Sequence, residues 1–187
     1  MLLFLDVDGP LIPFGGPGPY PVHRPGPSWG ARAAPDEVHP LLSRLDPALG
    51  PRLLALGCEL VWATTWLEDA NAVVAPWLGL PPLPVLEPPR TPAPSGPHWK
   101  TPALLDRAAG RPFVWVDDEI GAVDEDLVAA LHPAPALLHR VDHRHGLTDA
   151  DFEVLEEWLR ADAAPASASA RFPPPPGCTR PRRAPGR

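Results

Sequence analysis

The chain opens Met1-Leu2-Leu3-Phe4-Leu5-Asp6-Val7-Asp8-Gly9, and the reading of this stretch decides the fold. Four consecutive apolar side chains are too few for a core helix and show no 3.6-residue period. Leu2 to Leu5 therefore reads as a strand buried on both faces. The run then stops on charge. Asp6 and Asp8 fall where a buried parallel strand leaves its sheet, which is where open α/β sheets hold their ligands. Two acids there repel each other unless a cation joins them, and a hard divalent ion such as Mg²⁺ suits carboxylate oxygens. For these residues taken alone, the plain alternative is an acidic turn with Gly9 at positive φ.

Working outward, the same design recurs. Glu59-Leu-Val-Trp-Ala-Thr-Thr65 is an apolar strand that runs into two hydroxyls, Thr64 and Thr65. Phe113-Val-Trp-Val116 is another, ending on Asp117, Asp118 and Glu119. Shorter strands are expected at Leu83 to Leu86 and Ala136 to Val141. Helices are expected from Asp36 to Leu45, over Pro51 to Leu56, from Trp66 to a stop at Pro76, from a Thr101 N-cap with Pro102 at N1 to Gly110, over Val123 to Leu131, and from a Thr148 cap to Arg160. Lys100 stands just before one of these helix starts, so its ammonium can reach over it. Strands alternating with helices of this length imply an α/β fold, a five-stranded parallel sheet with helices on both faces. Pro10 to Gly30 is too rich in Pro and Gly for regular structure and reads as a loop over the first strand's end, a candidate lid.

The chain has 187 residues, enough for one domain with a real core. No apolar run approaches the length of a membrane span, and the opening strand lacks the basic flank of a signal peptide, so the expectation is a cytoplasmic protein with no membrane partner. Cys58 and Cys178 resemble neither a disulfide framework nor a metal cluster and read as free thiols. The net charge of −7 is unevenly spread: no acid follows Asp162, whereas arginines stand at 171, 180, 182, 183 and 187. The expected division is a domain over 1–162 and a disordered Pro/Ala/Arg-rich tail over 163–187. The acidic body does not itself suggest nucleic-acid binding.

Asp6 and Asp8, Thr64 and Thr65, Lys100, then Asp117 and Asp118 together resemble, in order, the four motifs of the haloacid dehalogenase (HAD) superfamily of phosphohydrolases. With no room for a sizeable cap, the chain looks like a capless or minimal-cap member, loosely similar to HAD phosphatase domains of bacterial RNA-repair proteins. The resemblance implies a HAD-like Rossmannoid sheet and Mg²⁺-dependent phosphomonoester hydrolysis. Asp6 is then the nucleophile that forms an aspartyl-phosphate, and Asp8 the acid and then the base. Thr64 and Lys100 hold phosphoryl oxygens, Thr64 being favoured over Thr65 as the first polar residue after the apolar run. The metal is held by Asp6, by the Asp8 backbone carbonyl and by Asp118 with Asp117 beside it. Pro10 departs from the Thr or Val common there.

The implied substrate is a phosphorylated small molecule or a polynucleotide end, and Trp66 and Trp99, each within two residues of a phosphate-binding group, are candidates to stack a nucleobase. A receiver domain carries the same residue types, but places its acid pair first and its phosphorylated Asp later. A HAD fold kept only for binding is the remaining alternative. Asp142-His143-Arg144-His145 has metal-like letters in a polar loop without further ligands at suitable spacing, and reads as exposed surface.

Overall fold

Strands that are apolar at every position need cover on both sides, and this chain supplies it in two separate cores. In the computed structural model, which describes residues 1–30, 39–89 and 96–163, β1 (Leu2–Leu5) is an inner strand of a four-stranded parallel sheet. β2 (Glu59–Trp62) lies on one side of it and β3 (Phe113–Asp117) on the other, with β4 (Ala136–Arg140) outside β3. Alternate side chains point to opposite faces. Leu3 and Leu5 enter a core with Leu60, Trp62, Val114 and Val116, while Leu2 and Phe4 enter the other with Val61, Phe113 and Trp115.

Helices cover both faces. The first core is closed by α1 (Leu49–Ala55) through Leu49 and Leu53, by α2 (Ala75–Leu78) through Trp77, and by the final helix α5 (Asp149–Ala163) through Phe152 and Leu155. The second is closed by α3 (Lys100–Ala108) through Leu104 and Ala108, and by α4 (Ala122–Leu131) through Val128. None of these helices is long and apolar enough to cross a membrane.

Four differences from the sequence-based expectation have local causes. The strand expected at Leu83 to Leu86 is reduced to one bridge, Val85 to Trp62, made by two hydrogen bonds: Trp62 N–H to the Pro84 carbonyl and Leu86 N–H to the Trp62 carbonyl. Pro81, Pro82, Pro84, Pro88 and Pro89 bring no N–H with which to extend it. Pro76 does not stop its helix. A π turn over Ala70–Val74 leads into α2, Pro76 sits in the first α turn where its missing N–H costs nothing, and Gly79 ends the helix at φ 72°. Thr101 is not a cap: α3 begins two residues earlier than expected, at Lys100, with Trp99 at the N-cap. Of the helix expected from Asp36, residues 36–38 lie outside the described residues and Leu42–Arg44 forms a single 3₁₀ turn. The tail, 164–187, with Cys178, also lies outside them.

Pro10 to Gly30 has no regular element beyond a 3₁₀ turn at Pro27–Trp29, whose tryptophan packs edge-on against Trp77 at 5.4 Å. It is pinned near its start as well, since the Pro10 carbonyl accepts from Leu147 N–H at 2.8 Å and Phe14 N–H donates to the His143 carbonyl at 2.8 Å.

Candidate active site

Parallel register brings the acids together. Leu5 lies beside Val116, and Asp6 N–H donates to the Val116 carbonyl at 3.0 Å, so the next residues along, Asp6 and Asp117, leave the sheet side by side. Each has the parity of the face covered by α3 and α4, after Leu2 and Phe4 in one strand and Phe113 and Trp115 in the other. The first residue of α3 supplies their counter-charge. Lys100 Nζ lies 2.8 Å from Asp6 Oδ2 and 2.6 Å from Asp117 Oδ2, and it is only 1% exposed.

Two buried carboxylates with one ammonium leave an excess negative charge. Burial pushes the Asp6 carboxyl up to about 7 against the pull of Lys100, with Asp117 adding to the rise. Burial acts to lower the Lys100 ammonium, but Asp6 and Asp117 outweigh it and hold its pKa above the usual lysine value. Asp117 is well supplied with donors: besides Lys100 it accepts from Trp115 Nε1 at 3.0 Å and from Glu119 N–H at 2.9 Å.

Asp118 completes the acidic group. One oxygen from each of Asp6, Asp117 and Asp118 lies within 4.8 Å of the others. Burial raises the Asp118 carboxyl and Asp117 raises it further. Its place depends on Gly9, at φ 85°, where an added Cβ would stand 2.5 Å from Asp118 Cγ. An all-oxygen donor set with surplus negative charge fits a hard divalent cation, without selecting Mg²⁺ over others. Asp6 and Asp118 would hold such an ion, because Asp117 already serves Lys100, Trp115 and Glu119.

Asp8 is set apart from this cluster. Its turn is tied by Gly9 N–H to the Ile12 carbonyl and by Leu11 and Ile12 N–H to the Val7 carbonyl, so Pro10 is accommodated without needing a donor. Its Oδ2 accepts from Trp66 Nε1 at 2.9 Å. The carboxylate of Asp8 is thus outside the acidic group of Asp6, Asp117 and Asp118. Trp66 also lies against His39, 4.8 Å between ring centroids. Thr64 is fully buried just beyond β2, with Trp66 N–H directed at its hydroxyl at 3.4 Å, whereas Thr65 is exposed. The two adjacent threonines are therefore distinguished by burial.

No family model, curated protein or solved structure matches this chain. The site is therefore read from its own geometry, which includes residues that the sequence reading passed over. Asp124, 3% exposed, accepts from Thr101 Oγ1 at 2.6 Å, His98 N–H at 2.7 Å and Gly121 N–H at 3.0 Å. It ties the turn bearing Lys100 to the helix that follows Asp117 and Asp118. His98 ties the same turn again, accepting from Lys100 N–H at Nδ1 and meeting Glu119 at Nε2. In the sequence Asp124 was indistinguishable from the helix-start acids Glu125 and Asp126. Trp115 did carry a signal, since it stands two residues before Asp117 on one strand face.

The remaining candidates stay outside. Trp62 is a fully buried core residue. His145 is exposed, and half-buried His143 stacks on Phe14 at 4.9 Å. Cys58 is a free thiol whose pKa is raised by burial.

Proposed function

We propose that this chain is a metal-dependent phosphomonoesterase of the HAD type, working through an aspartyl-phosphate on Asp6. The observation that carries the reading is the Lys100 ammonium held between Asp6 and Asp117, with Asp118 beside them, at the ends of adjacent parallel strands. A buried cation among acids is costly as mere structural glue. It is well suited to a phosphoryl group, whose charge Lys100 can meet when the substrate enters. Mg²⁺, when bound, supplies charge neutralisation between phosphate and carboxylate.

The chain's own groups then divide the work. The Asp6 carboxylate attacks phosphorus as the bond to the leaving oxygen breaks, and Asp8 gives that oxygen a proton. Water next attacks the phosphorus of phospho-Asp6 while Asp8 takes its proton, which frees phosphate and restores Asp6. Lys100 and the Thr64 hydroxyl stabilise the transferring oxygens, and Trp66 orients Asp8 through the indole N–H. Asp124 and His98 are positioning residues that act through Lys100. The substrate is a phosphorylated small molecule or a polynucleotide end, in a cytoplasmic setting.

The test separates the two aspartates. With an aryl phosphate and Mg²⁺, Asp6→Asn should abolish turnover and yield no acid-labile phosphoenzyme. Asp8→Asn should slow turnover by roughly 10²- to 10⁴-fold and accumulate phospho-Asp6, because the leaving group needs little protonation but hydrolysis needs a base. Retention of Mg²⁺-dependent turnover by Asp6→Asn within about tenfold of wild type would sink the mechanism.

A further inference from the structure

Beside the acids lies an apolar shelf that this mechanism leaves unused. Thr65, Leu67, Pro88, Pro89 and Trp99 line an open cavity of about 280 Å³. That is below the roughly 300–1,000 Å³ of sites that enclose whole drug-sized ligands, so it suits one part of a substrate. Among the described residues, the polar side-chain groups on its lining are the Thr65 hydroxyl and the Trp99 indole N–H. A charged or hydroxyl-rich group would lose water there and gain few partners. An indole and two proline rings instead offer flat, rigid surface.

Two lining residues tie the shelf to the phosphoryl site. Thr65 follows Thr64, and Trp99 precedes Lys100, whose Nζ lies 5.8 Å from the Trp99 ring centroid. A phosphoryl group at that ammonium therefore leaves an attached ring within reach of the indole. Leu67 adds a second sign. Its φ is 48°, a left-handed backbone that leucine rarely adopts, and its side chain remains 38% exposed. Strain and exposure at one residue, at the rim of a site, mark a place where the side chain serves something other than packing.

We infer that this shelf stacks the aromatic ring of the leaving group, making the substrate an aryl or nucleobase-bearing phosphate monoester. The inference rests on the phosphohydrolase reading and adds the substrate class. It is tested by calorimetric binding to the full chain carrying Asp6→Asn, which cannot turn ligands over, in the presence of Mg²⁺. Two pairs are compared: phenyl phosphate with methyl phosphate, and adenosine 5′-monophosphate with ribose 5-phosphate. The ring-bearing member should bind about tenfold tighter, the gain expected from stacking one ring. The pair with the larger ratio identifies the source as aryl or nucleobase.

Adding Leu67→Gly removes the side chain while placing at φ 48° the residue best suited to it, and should cut the ratio about threefold, in keeping with loss of part of the apolar wall. Equal affinities within both pairs would overturn the inference alone, leaving wild-type hydrolysis of methyl phosphate to support the phosphohydrolase reading. A ratio untouched by Leu67→Gly would overturn the placement on this shelf. No binding by any of the four would overturn both.

Discussion

Two clusters in this protein pair an aspartate with a cation at almost the same distance, and they behave in opposite ways. Lys100 meets Asp6 at 2.8 Å, and Arg144 meets Asp142 at 2.7 Å through Nη2 and 2.9 Å through Nε. In the first, burial outweighs the pairing and the carboxyl rises to about 7. In the second, both side chains are largely in water, the bonds from Arg144 dominate, and the Asp142 carboxyl falls well below its usual range. Solvation, more than contact distance, separates a poised acid from a surface ion pair.

The largest effect should come from breaking the buried cluster at its cation. Lys100→Met leaves Asp6 and Asp117 adjacent with no counter-charge, and loss of one partner of a buried pair typically costs about 3–5 kcal/mol. The expected outcome is a fall in metal-free melting temperature of many degrees together with loss of turnover. Asp6→Asn, by contrast, removes one of two competing acids and should lose turnover while melting no lower than wild type. If both variants melt like wild type, the cluster is more hydrated than its burial indicates.

Next in size is Gly9→Ala. The added methyl would need a positive φ and would meet Asp118 at 2.5 Å, so Asp118 should be displaced. Activity at saturating Mg²⁺ should partly survive, but the Mg²⁺ concentration for half-activity should rise by roughly 10- to 100-fold, as for groups that orient metal ligands. An unchanged Mg²⁺ dependence would remove Asp118 from the metal site.

How much of this was legible beforehand depends on what each feature needs. The three acid-bearing or hydroxyl-bearing strand ends followed from local pattern, because short fully apolar runs read as strands covered on both faces. The order of the strands did not, since β2, apolar over Leu60–Trp62, lies at the sheet's edge. The π turn over Ala70–Val74 and the lost strand at Val85 did not, since each depends on how prolines are tolerated in a particular packing. Within the site, Asp6, Lys100 and Asp117 were legible as strand-end and helix-start charges. Asp124 was not, because only tertiary structure turns one of several helix-start acids into the acceptor for Thr101 and His98.

Acidity offers a finer comparison. The folded Asp6 carboxyl has a raised pKa, so the folded state binds a proton more tightly than the unfolded chain does. Its contribution to stability is full below about 3.8 and is lost as pH rises through about 7. In EDTA, melting temperature should therefore decline between pH 5 and 8 on account of this group, and Mg²⁺ should flatten the decline by favouring the ionised acids. Asp151 has the opposite sign. Burial raises it, but bonds from Thr148 and His139 outweigh burial and lower it, so its contribution is present above the usual aspartate pKa and fades only in acid. A melting temperature that rises from pH 5 to 8 without metal would contradict the buried-acid description of Asp6.

The smallest effect is expected at the exposed member of the comparison. Asp142→Asn removes the charge and one of the two oxygens that accept from the Arg144 guanidinium, yet exposed ion pairs are screened by salt and offset by side-chain ordering, so melting temperature and turnover should stay close to wild type. This prediction is sharp because the loop is not remote. His143 stacks on Phe14 and accepts Phe14 N–H, and Leu147 N–H holds the Pro10 carbonyl just beyond Asp8 and Gly9. Asp142 also accepts backbone bonds from Arg144, His145 and Gly146, two of them through its carbonyl, which Asn retains. If Asp142→Asn nonetheless lowers turnover of an aryl phosphate by tenfold or more at unchanged melting temperature, the charge on this loop is transmitted to Asp8 through residues 10–14. The two clusters would then be one electrostatic unit, and the contrast between them would lie in degree of burial alone.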